Sequence, residues 1–151
     1  MRHALAPGGG DPADFQLNAC STQRNLNDRG REQARSVGRA FKAAGIVFTQ
    51  VLTSQWCRCR ETAALLDLGA PSDFPGLNSF FQDRSTADAQ TEEVKALLKS
   101  MPQSEKVMLV THQVNITALT GQGVSSGEVF LIKLGPDGKV EVIGEFLIPP
   151  P

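Results

Sequence analysis

Apolar residues recur at Ala34, Val37, Phe41 and Ala44, steps of three and four that lay one stripe along a helix. Asn27 is a suitable N-cap and Gly45 a suitable stop, so the predicted helix runs between them. The pattern then changes. Ile46 to Ser54 is rich in Val, Ile, Phe and Thr and predicts a strand, and after it Trp56, Cys59, Ala63 and Leu66 share one face of a second helix. Pro71 to Pro75 reads as loop, Leu77 to Phe81 as a short strand, and Ser85 to Met101 as a helix turning Val94, Leu97, Leu98 and Met101 inward. Lys106 to Thr111 is a continuous apolar run of the kind covered on both faces of a parallel sheet. A short helix from about Val114 to Leu119 follows. Val129 to Leu134 and Val140 to Ile148 flank Gly135-Pro136-Asp137-Gly138, which predicts a hairpin. Strands alternating with helices give a three-layer α/β/α sandwich, its central sheet mostly parallel with an antiparallel edge hairpin. Such a domain usually begins with a central strand, and none precedes Arg2-His3, so the first strand is expected to be missing from the N-terminus.

Composition narrows the picture. A chain of 151 residues, 40% hydrophobic, suits a single domain over residues 1–151. The net charge of −1 gives no pull toward nucleic acid or an anionic membrane. Arg24, Arg29, Arg31, Arg35 and Arg39 form a basic stretch, but Asp28 and Glu32 interrupt it without interleaved aromatics, so it reads as a solvated helix face. No G-x-x-x-x-G-K follows Gly8 to Gly10, which reads as a loop at a rim. The three cysteines lack the C-x-x-C spacing of a common zinc site.

In open α/β sheets ligands sit beyond the carboxyl ends of the strands. Arg58 follows Ser54, with Thr62 one turn further on the same helix face, and His112 follows Val110-Thr111. The chain's other histidine, His3, stands beside Arg2. Two histidines and two arginines at such ends describe a phosphate site, since guanidinium forks match phosphate oxygens and a neutral imidazole can attack phosphorus.

Arg2-His3-Ala4, Asn25 to Ala34 with Gly30-Arg31-Glu32-Gln33-Ala34, Ser54 to Ala63 with Arg58 and Thr62-Ala63, and Val110-Thr111-His112 together resemble the histidine phosphatase superfamily, also called phosphoglycerate mutase-like. Motif order and spacing match over nearly the whole chain, and the short chain points to the small phosphatase branch. The resemblance implies a metal-independent phosphatase acting on phosphoric monoesters or phosphoramidates, with His3 as nucleophile and Arg2, Arg58 and His112 around the phosphoryl oxygens. No cofactor or metal is implied. The partner would be a small phosphorylated substrate or a phosphohistidine protein, with no nucleic acid and no membrane. The alternative is a non-catalytic domain binding a phosphorylated ligand in the same pocket.

Many family members carry a glutamate that protonates the leaving oxygen. The corresponding stretch here, Leu77 to Asp83, has none, which leaves Asp83 as the nearest acid. Substrates with good leaving groups are therefore expected to be favoured. On the second helix Cys57 projects away from Cys59, making it the better partner for Cys20 and leaving Cys59 as a buried thiol. Such a bridge belongs to an oxidising compartment, so a signal upstream of Met1 and periplasmic or secreted residence are expected, although the chain itself contains no signal.

Overall fold

The structure, a computed structural model, describes residues 1–102 and 104–151. Helix α1 (Asp28–Ala43) starts where Asn27 accepts a hydrogen bond from Gly30 N through its side chain, satisfying one of the free donors of the first turn. Strand β1 (Gln50–Thr53) leads through Ser54 to Trp56 into helix α2 (Cys57–Leu66). Strand β2 (Pro71–Asp73), helix α3 (Ala87–Ser100), strand β3 (Val107–Val110) and helix α4 (Gln113–Thr120) follow. Strands β4 (Val129–Leu134) and β5 (Val140–Phe146) close the chain as an antiparallel hairpin. The expected α/β architecture is the one found.

Three strands pair in parallel in the order β2-β1-β3. Beside β3 lies the chain start: His3 N donates to Thr111 O at 2.9 Å and Thr111 N to Met1 O at 3.0 Å. On the far side of that segment Arg2 N donates to Glu128 O and Gly127 N to His3 O, which carries the sheet across to the hairpin. Met1 to His3 thus hold the place of a strand between β3 and the hairpin.

Val51, Met108 and Val110 face α1 and α2, where Val37, Phe41, Cys59, Ala63 and Leu66 complete the main core. Leu109 faces the other way and lines a small apolar cavity with Ile116, Leu119 and Ile132. Helices α3 and α4 pack together. Val94 is the buried residue of α3, whereas Leu97, Leu98 and Met101 are only partly covered.

Three elements differ from the sequence expectation. Ile46 to Thr49 does not extend β1, because β3 begins at Val107 opposite Gln50 and leaves no longer ladder; Ile46 and Phe48 instead pack on the core. Pro71 to Asp73 is a strand rather than loop, with Pro71 tolerated because the strand lies at the sheet edge. Leu77 to Phe81 is not a strand. With β2 holding that edge, Pro75–Leu77 forms a 3-10 turn and the backbone carbonyl of Asn78 is taken by Gln90 and Asn115.

Candidate active site

Two motifs of the sequence act as clamps on the segment after His3. Thr62 Oγ1 accepts from Ala4 N at 3.1 Å and donates to Arg58 O at 2.7 Å, so the threonine one turn after Arg58 ties that helix to the backbone beside His3. Gln33, fully buried, accepts from Leu5 N through Oε1 and donates to Ser126 O and Ile148 O through Nε2. Gly30 permits the approach, since a Cβ there would lie 2.0 Å from Leu5 O. These contacts hold His3 from two helices at once.

His3 is 1% exposed, and its Nδ1 lies 2.8 Å from Ala4 O. A carbonyl only accepts, so Nδ1 carries the hydrogen and the lone pair of the neutral ring sits on Nε2. Burial, then the charge of Arg58, outweighs that hydrogen bond and pushes the imidazole pKa down to about 3. His112, 3% exposed, meets His3 edge-on at 5.5 Å between ring centroids. Its Nδ1 is 3.4 Å from Arg58 Nη2 and its Nε2 2.8 Å from Ser54 Oγ. The guanidinium can only donate, so Nδ1 accepts and Nε2–H donates to the serine. Burial, followed by His3 and Arg58, holds this imidazole well below its ordinary pKa.

Arg58 is 3% exposed and forks onto Asp11, with Nη1 to Oδ1 at 2.6 Å and Nη2 to Oδ2 at 3.1 Å. Arg2 is half-buried, donates through Nη1 to Val124 O, and its charge is opposed by that of Arg58. The Nε–H groups of Arg2 and Arg58 are buried with no acceptor. Donors left in that state are the kind an oxyanion satisfies. Cys59 is a free, buried thiol 3.4 Å from His112 Nε2, and burial pushes its pKa up to about 12, so it is no nucleophile.

The structure thus brings together His3, Arg2, Arg58 and His112. Asp83 is not joined to them: its exposed carboxylate caps the turn at Arg84–Thr86 by accepting from Ser85 N. Two further residues belong to the cluster. Arg24 leaves the basic stretch in which the sequence placed it, because it precedes α1 and donates to Gly10 O and Ala6 O, with its charge opposed by Arg58. Asp11 accepts from Arg58, Arg24 N and Trp56 Nε1. Burial pushes its carboxyl up, but the hydrogen bond and charge of Arg58 prevail and hold it below the usual carboxylate range. Its one signal in the sequence is its position after Gly8 to Gly10, within ten residues of His3.

The Cys20–Cys57 disulfide expected from the helix faces is present, and it fastens this loop to α2 beside Arg58.

A parallel sheet whose carboxyl ends gather two neutral imidazoles and three guanidiniums offers the donors that an oxyanion such as phosphate requires. Residues 16–77 match the family model of the histidine phosphatase superfamily (branch 1). No curated protein matches the chain by sequence. Among solved structures, it is similar to the protein histidine phosphatase SixA complexed with tungstate, at 15% identity and TM-score 0.65, over 97% of this chain and 94% of that one. It is also similar to the alpha-ribazole phosphatase from Shigella flexneri, at 18% identity and TM-score 0.63, over 94% and 92%.

Proposed function

We propose that the protein is a metal-independent phosphatase of phosphoric monoesters or phosphoramidates that works through a phosphohistidine on His3. The observation that carries this reading is the state of His3: buried among arginines, neutral, with Nδ1–H spent on Ala4 O and the lone pair left on Nε2. Nε2 attacks phosphorus, the bond to the leaving group breaks, and water then displaces the phosphoryl group from the ring. Arg2, Arg24 and Arg58 supply the positive charge for the equatorial oxygens, with the unpaired Nε–H groups of Arg2 and Arg58 as ready donors. His112 holds Ser54 and receives Arg58, which sets the guanidinium in place. The tungstate that accompanies SixA, a phosphate-shaped oxyanion, supports the same kind of ligand for this chain.

Hydrolysis of nitrophenyl phosphate, followed by colour with and without a chelator, tests the reading. Turnover unaffected by chelator and trapping of phosphate on His3 are expected. A protein that binds phosphate but releases no nitrophenol overturns it in favour of a binding domain. The Cys20–Cys57 bridge supports residence in an oxidising compartment, the periplasm or the exterior.

A further inference from the structure

Breaking a phosphate ester puts negative charge on the leaving oxygen, and a positioned acid that protonates it is typically worth ~10² to 10⁴ in rate. Asp83 is exposed and serves as a cap. Among the described residues, Asp11 is the carboxylate that hydrogen-bonds into the arginine and histidine cluster, and its side chain is 6% exposed. We propose that Asp11 is the proton donor to the leaving group, a proposal that rests on the phosphatase reading above.

The argument starts from competition for one fork. Asp11 uses both terminal nitrogens of Arg58, the same pair that two phosphoryl oxygens would use. A bound phosphoryl group therefore displaces the carboxylate from the guanidinium. Asp11 keeps two other donors within reach, Trp56 Nε1 at 3.0 Å from Oδ2 and Arg24 N at 3.1 Å from Oδ1, so it stays at the edge of the cluster. There it has lost its cation and gained a neighbouring anion, and both changes favour a protonated carboxyl. Gly8 and Gly10, with φ of 90° and 69°, turn the chain ahead of it, while Cys20–Cys57 and the hydrogen bond from Cys57 N to Gln23 Oε1 secure the loop's other end to α2.

The proton balance closes over two steps. In the first, His3 Nε2 bonds to phosphorus, the ester P–O bond breaks, and its oxygen leaves with the proton of Asp11. In the second, water attacks the phosphohistidine, the P–N bond breaks with its pair returning to Nε2, and the proton from water goes to the Asp11 carboxylate.

Single-turnover formation of phospho-His3 from phenyl phosphate and from nitrophenyl phosphate tests the proposal, because only the phenolate of the first needs a proton. Asp11→Asn should slow the phenyl ester by ~10² or more and the nitrophenyl ester only slightly, which also shows that the variant is folded. Asp11→Glu should recover part of the phenyl rate, and Asp83→Asn should match the wild type on both. An equal loss on both esters would make Asp11 a positioning residue, and an equal gain on both would make it only a competitor for Arg58; either overturns the proposal. So does a wild-type enzyme that uses the nitrophenyl ester but not the phenyl ester. A wild-type enzyme inert to both removes the phosphatase reading itself.

Discussion

His3 sits in a terminal dipeptide that would ordinarily be a solvated tail, yet it is buried and bonded. Replacing it has a structural cost as well as a chemical one. His3→Asn is expected to abolish nitrophenyl phosphate turnover and phosphoenzyme formation, because no other group in the cluster has a free basic nitrogen pair in this environment. Arg58→Ala should lose at least ~10² in rate. It should also lose about 3 kcal/mol of stability, since Asp11 would then be a buried charge without its partner. Urea unfolding beside the kinetics separates the two losses. The pH dependence follows from His3, Asp11 and His112, the last lowered by burial in the same direction as His3. In the folded chain His3 takes a proton only near pH 3, against 6.5 when unfolded, so between those values the unfolded state binds the extra proton. Stability therefore falls as pH is lowered from about 6.5 toward 3 and is unaffected by this group above 6.5. Asp11, with its folded pKa depressed, adds stability that is lost as pH falls through that lowered value. Unfolding midpoints measured between pH 7 and pH 4 should decline, and His3→Asn should flatten the upper part of the decline. The nucleophile itself stays neutral across that span, so kcat/KM should show no loss near pH 6.5 from protonation of His3.

At the level of elements, α1 and α2 matter because they approach backbone at glycines. A Cβ on Gly38 would lie 2.0 Å from Leu66 O, so Gly38→Ala forces the two helices apart and should cost ~1–3 kcal/mol, read from a urea midpoint. Gln33→Ala leaves the buried partners Leu5 N, Ser126 O and Ile148 O without their bonds and should cost a similar ~1–3 kcal/mol. The two variants differ in kinetics. Gln33 holds the residues after His3, so its loss should lower kcat, whereas Gly38 lies farther along α1 and should change stability more than rate.

For the whole molecule, the 37-residue separation bridged by Cys20–Cys57 closes a long loop in the unfolded chain. Removing it with Cys20→Ser and Cys57→Ser together should cost ~2–4 kcal/mol. The remaining thiol, Cys59, is buried and protonated. Thiol titration should accordingly find none in the native protein and one per chain after denaturation without reductant. Three titratable thiols in protein taken from an oxidising compartment would remove both the bridge and the compartment proposal.

Helical stripes, the Asn27 cap, the Gly135 to Gly138 turn and the apolar run of β3 were legible along the chain because they depend on neighbours within about four residues or on strand alternation. The same holds for Arg58 and Thr62, one turn apart, and for Cys57 and Cys59, whose opposite directions separate the bridged cysteine from the free one. His3, Arg58 and His112 could be singled out through the motifs they occupy. Other features depend on partners far away in sequence. Whether Pro71 to Asp73 is a strand is decided by the open edge of β1, and how far β1 extends is decided by where β3 begins. Arg24 and Asp11 carry no local pattern that distinguishes them from solvated loop residues. They join the site only because the loop after His3 folds back over α2, where burial strengthens the attraction between Asp11 and Arg58. Local spacing determined which residues could do phosphate chemistry, and long-range packing decided which carboxylate lies against them.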